Sequence, residues 1–132
     1  MERSFTPDEA NALLGEVRPL VERMVAAKER LDQAQERRDE ASRRISGNGG
    51  GISPQELAGL HEGVQDAATE LAGILAELEE LGVVVKDLDS GLVDFPSVRD
   101  GEPVLLCWRL GEDEVAYWHS HEDGFTGRQP IE

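Results

Sequence analysis

The sequence predicts an α+β fold: a long antiparallel, coiled-coil-like helical hairpin followed by a small antiparallel β-sheet. Three observations carry this reading. Two long stretches repeat apolar residues at alternating spacings of three and four, and each opens on the same capping signature. A glycine-rich turn at 47–51 separates them. After Gly82 the pattern changes to short β-branched and aromatic runs broken by turn residues.

The first helix starts at Phe5-Thr6-Pro7-Asp8-Glu9. Thr6 and Glu9 have the spacing of a reciprocal capping box, and Pro7 takes the first helical position, where its missing N–H costs nothing. The seam then runs Leu13, Val17, Leu20, Met24, Ala27, Leu31, Ala34, Arg38, Ala41, Ile45. Pro19 lies inside it, so a kink near Gly15–Pro19, or a short helix followed by a long one, is expected. Ser46-Gly47-Asn48-Gly49-Gly50-Gly51 is too glycine-rich to hold a helix. It lacks the Lys-Ser/Thr of a phosphate loop and joins two helices, not a strand and a helix. Ser53-Pro54-Gln55-Glu56 repeats the cap, and Leu57, Leu60, Val64, Ala67, Leu71, Ile74, Leu78 and Leu81 form the second seam, closed by Gly82. A short connection between two long helices makes them antiparallel. The whole chain, 1–132, reads as one domain, with the hairpin in 1–81 and the β-rich segment in 82–132.

Charge bounds the partners. Thirteen Lys and Arg face 28 Asp and Glu, for a formal net charge of −15. Such a chain repels phosphate backbones and anionic membrane surfaces, so neither nucleic acid nor a membrane is expected as a partner. No stretch approaches the roughly 20 apolar residues of a membrane span. Cys107 is the only cysteine, which fits a reducing, cytoplasmic setting.

In the C-terminal segment, Val83-Val84-Val85 begins a strand, Leu92–Phe95 reads as a second stopped by Pro96, and Val104–Leu110 and Val115–His119 read as a hairpin. Three or four antiparallel strands follow. Here the chain resembles the uncharacterised bacterial family catalogued as domain of unknown function 2203. The resemblance is carried by residues 5–14, by the Gly-Asn-Gly-Gly turn at 47–50, by Lys86 through Pro96, and by Cys107-Trp108-Arg109-Leu110-Gly111-Glu112. It continues in Tyr117-Trp118-His119 and in Gly124 through Pro130. It departs after His119, where an acidic residue is expected and Ser120-His121-Glu122 stands. The resemblance implies no activity.

Candidate chemistry gathers in the tail. His119 and His121, two apart on an extended segment, can reach one ion, with Glu122, Asp123 or a carboxylate of the 87–94 turn completing the set. Imidazole with carboxylate suits a divalent transition metal such as zinc. Asp87, Asp89 and Asp94 flank a tight turn and, with Arg109 and Arg128, are candidates for binding a ligand. Alternation puts His119, His121 and Tyr117 on one strand face. Cys107 joins them if residues 110 and 114 pair, and not if 110 and 115 pair. Each has a plainer counterpart: a solvated histidine pair, a packed core thiol at Cys107, ion pairs at the arginines, and Trp108 and Trp118 packing between sheet and helices.

Two functions follow. The heptads account for more residues than any site does, so the leading reading, which leans away from an enzyme, is an interaction or scaffold module that self-associates as a homodimer through its hairpin. The alternative is a small metal- or anion-binding protein, or an enzyme, with its site in the tail. Convergence of Asp87, Asp94, Arg109, His119 and Glu122 on one pocket favours the second.

Overall fold

The computed structural model describes residues 3–48 and 51–131. It contains two long packed helices followed by a five-stranded antiparallel sheet. Helix α1 spans Pro7–Asn48 and α2 spans Pro54–Glu80. The first capping box forms with both of its bonds, and Ser53 caps the second helix. Glu9 N–H donates to Thr6 Oγ1 at 3.1 Å, Thr6 N–H donates to Glu9 Oε1 at 2.8 Å, and Glu56 N–H donates to Ser53 Oγ at 3.1 Å. Two expectations are corrected. α1 runs through Pro19 as one helix, and it takes in Gly47 and Asn48, so the turn begins later than residue 47. The last residues of a helix need no further turn to accept their carbonyls, which relaxes the bias against glycine there. Gly49 and Gly50 lie outside the described residues.

α2 stops in a Schellman motif. Gly82 has φ 89°, its N–H donates to Glu79 O at 2.9 Å, and Val83 N–H donates to Leu78 O at 3.1 Å. Val83 and Leu78 are both buried, which supplies the accompanying apolar contact.

The chain forms two compact units, one of residues 1–25 with 74–132 and one of residues 26–73. In the second, Ala27, Ala34, Ala41, Ala67 and Leu71 are buried along the seam, and Arg30 reaches both carboxylate oxygens of Glu70 at 2.6 Å. Leu31, Leu57, Leu60 and Val64 are half-buried there, and Ile45 is exposed.

The first unit holds the sheet, a meander in the order β1 (Val84–Asp87), β2 (Leu92–Arg99), β3 (Glu102–Arg109), β4 (Tyr117–His119), β5 (Gln129–Pro130). The expected three or four strands become five, because Gln129-Pro130 returns beside β4. Pro96 does not end β2. It stands opposite Leu105 in the ladder. Its carbonyl turns to the other side and accepts from Phe5 N–H at 2.7 Å, so its nitrogen sits where no ladder donor is needed.

One sheet face carries Val93, Phe95, Val104, Leu106 and Trp108, all buried. It meets the N-terminal segment and α1. Phe5 packs edge-on to Phe95 at 5.4 Å, and the Arg18 guanidinium lies 5.6 Å from the centre of Trp108. At Gly91, φ is 74°, and a Cβ would come within 2.8 Å of Val21 and 2.9 Å of Leu110. Only glycine lets the β1–β2 turn approach α1 so closely.

Candidate metal centre

The opposite face of the sheet carries the polar residues. β3 pairs with β4 through Leu105↔His119, Leu106↔Trp118 and Cys107↔Tyr117. This is the register in which 110 stands opposite 114, and it puts Cys107 on the face of His119. β2 adds Asp94 directly opposite Cys107. Asp94, Cys107 and His119 are all buried, at 1%, 0% and 3% exposure. One donor atom from each lies within 4.8 Å of the others.

The local geometry assigns protons. His119 Nδ1 is 2.7 Å from Ser120 O, and a carbonyl only accepts, so Nδ1 carries a hydrogen. His119 Nε2 is 3.1 Å from Asp94 Oδ2, so one proton lies between the two. Asp94 Oδ1 is buried with no hydrogen-bond partner. Burial raises the Asp94 carboxyl above its ordinary value, against the opposing pull of His119, Lys86 and a hydrogen bond from the Cys107 thiol. Burial also pushes the Cys107 thiol up to about 11, although the Arg128 guanidinium beside it works the other way. Arg128 Nη1 lies 3.7 Å from Cys107 Sγ.

The tail closes over this face. Arg128 pairs with Glu112, and its guanidinium stacks 3.8 Å from the centre of Tyr117 and 4.5 Å from that of Phe125. Burial alone would raise Glu112, but hydrogen bonds from Arg128 and the Arg109 backbone outweigh it and hold the carboxyl below its ordinary range. Within the same unit, Asn11 of α1 grips the 111–116 loop. Its Oδ1 accepts from Val115 N–H at 2.7 Å and its Nδ2 donates to Val115 O at 3.1 Å.

The sequence candidates divide. Asp94 and His119 converge. His121 and Glu122 are exposed and form no three-donor group with His119 among the described residues, although His121 lines the cavity beside it. Asp87 Oδ2 accepts from Ser90 N–H at 2.8 Å and from Ser90 Oγ at 2.5 Å, which holds the turn. Asp89 is exposed on that turn. Arg109 lies over Phe125, 5.0 Å from its centre. Cys107 is the residue that sequence reasoning set aside as core, and the hairpin register is the signal that would have found it.

The group is not arranged for nucleophilic catalysis. A triad histidine faces the nucleophile with one nitrogen and the acid with the other. Here His119 faces Asp94 and a backbone carbonyl, so neither nitrogen is free to take the Cys107 proton. What the structure shows is three dissimilar donor atoms, a carboxylate oxygen, a thiol sulfur and an imidazole nitrogen, gathered around one point.

Fold and site together define a small α+β protein with a buried donor group on the outer face of its sheet. The chain belongs to the family described as an uncharacterized conserved protein, DUF2203, which matches residues 3–131. No curated protein and no solved structure matches it. Among the described residues no helix is long and apolar enough to cross a membrane.

Proposed function

We propose that this chain is a metal-binding protein in which Asp94, Cys107 and His119 hold one divalent transition ion, zinc fitting best. The observation that carries the reading is Asp94 Oδ1, a carboxylate oxygen buried without a partner. Such an atom costs about 1–3 kcal/mol and calls for a reason. The His119 hydrogen bond to Ser120 O supports the same reading, because it leaves Nε2 as the ligating nitrogen, the usual outer-sphere arrangement of a metal histidine. Thiolate, imidazole and carboxylate together suit zinc, and a bound dication offsets the burial that otherwise keeps the thiol protonated. Elemental analysis of the purified protein and a zinc titration test it. About one zinc per chain is expected, lost in His119→Ala and Cys107→Ser. Native protein that neither contains nor takes up zinc, nickel or cobalt refutes it.

A second reading, self-association as a homodimer through the helices, is favoured by the half-buried leucines of residues 26–73 and by exposed Ile45. Small-angle scattering giving a mass near the 14.5 kDa monomer at micromolar concentration would refute it. The net charge of −15 supports work away from nucleic acid and anionic membranes, and a lone buried thiol supports a reducing, cytoplasmic compartment.

A further inference from the structure

A cavity of about 130 Å³ opens beside the donor group. Its polar lining is Lys86, Asp94, His119 and His121, and Leu92, Leu105 and Phe125 supply apolar surface. An ion held by three protein donors keeps a fourth tetrahedral position. Two of the three donors line the cavity, so it is the space from which a fourth ligand would reach the ion.

Lys86 is the informative neighbour. The chain after residue 81 has three other lysines or arginines, and each is engaged. Arg99 lies over Trp118, Arg109 over Phe125, and Arg128 pairs with Glu112. Lys86 is exposed at the irregularity of β1 between Val85 and Asp87, and no hydrogen bond or ion pair holds it among the described residues. Its charge is nonetheless felt at Asp94.

Charge and shape then name the ligand. A dication bound by one carboxylate and one thiolate is already neutral. An incoming monoanion adds one negative charge, and Lys86 supplies the matching positive one. The lining is mixed, and Leu92, Leu105 and Phe125 give it an apolar side on which a short hydrocarbon chain can lie, a contact that phosphate does not make. At roughly 30 Å³ per water, the cavity holds about four waters' worth of ligand, enough for a head group and a few carbons. We propose that the fourth position takes the carboxylate of a short aliphatic acid, with Lys86 balancing its charge and Leu92, Leu105 and Phe125 covering its chain. This inference rests on the metal reading above.

Cobalt substitution tests the two separately. Cobalt bound through Cys107 gives a thiolate charge-transfer band, and its visible bands report the open position. Titrating the cobalt protein with sodium butyrate is expected to shift the visible bands saturably, while phosphate at matched ionic strength leaves them in place. Lys86→Met is expected to weaken butyrate binding about tenfold or more, with cobalt affinity held within about twofold, and Lys86→Arg to restore most of the loss. Lys86 is exposed, so these variants leave the core intact. A cobalt protein whose visible bands ignore butyrate, or respond equally to phosphate, overturns this inference and leaves the metal reading standing. So does a Lys86→Met variant that binds butyrate as the parent does. Failure to bind cobalt at all sinks both.

Discussion

Asp94→Asn separates what the site does from what the fold needs. In the metal-free protein, Asp94 is 1% exposed, one of its oxygens has no partner, and the other shares a proton with His119 Nε2. Because Nδ1–H is committed to Ser120 O, Nε2 can accept, and an amide N–H in place of Oδ2 can donate to it. The substitution keeps the volume and removes the buried acid. An unpaired buried carboxylate oxygen costs about 1–3 kcal/mol, and a neutral amide carbonyl in its place recovers the lower part, about 1–2 kcal/mol. For a chain of this length that is a rise in Tm of about 4–8 °C. A pH signature goes with it. The native protein holds the Asp94 proton above the ordinary value of 3.8, where the unfolded chain has already lost it. Stability therefore falls as pH rises from that value through the raised native one, then levels off. In Asp94→Asn this decline is absent. The assay is urea denaturation of chelator-treated protein across that pH range, with zinc uptake measured on the same samples. The reasoning fails if the variant is less stable than the parent by about 1 kcal/mol or more at neutral pH, or if it takes up zinc equally well.

Other perturbations have equally definite outcomes. Gly91→Ala puts a Cβ within 2.8 Å of Val21 at φ 74°, so left-handed strain and overpacking together are expected to cost about 2–5 kcal/mol by chemical denaturation. Arg128→Met removes the partner of Glu112 and is expected to cost about 2 kcal/mol near neutral pH. The Glu112 contribution is present above its unfolded value of 4.5 and lost as pH falls through the lowered native value, so the variant shows a shallower acid limb. With its thiol near 11 and wholly buried, native metal-free protein at about pH 8 holds on the order of one thiolate per thousand molecules, and Cys107 is expected to resist alkylation until denaturant is added.

What was legible in the sequence was what short-range physics decides. The Thr6–Glu9 and Ser53–Glu56 caps and the Gly82 stop each depend on residues within one turn, and each forms. Pro96 was misread because a proline's meaning in a strand depends on which neighbour its missing N–H faces, and that neighbour is Phe5, 91 positions away. β5 was missed because two residues carry no periodicity. At the site, Asp94 and His119 stood out as polar residues in apolar strands. Their third partner, Cys107, turned on a choice of register between two hairpin alignments that differ by one residue, and alternation within a single strand leaves that choice open.

The division of the chain also bears on synthesis. The unit that carries the sheet is discontinuous, made of residues 1–25 and 74–132, with 26–73 inserted between its halves. The insert is stitched by contacts within itself such as Arg30 with Glu70, whereas the sheet unit needs Phe5 to meet Pro96 and Ser97. Phe5 donates its N–H to Pro96, and its carbonyl accepts from Ser97 Oγ at 2.5 Å. On a ribosome adding about 5–20 residues per second, the first helical turns wait on the order of ten seconds for their strands. Residue 73 is made about one to five seconds before residue 96 at that rate, so pairing within the insert is expected to precede closure of the sheet, with Gln129-Pro130 the last strand to arrive.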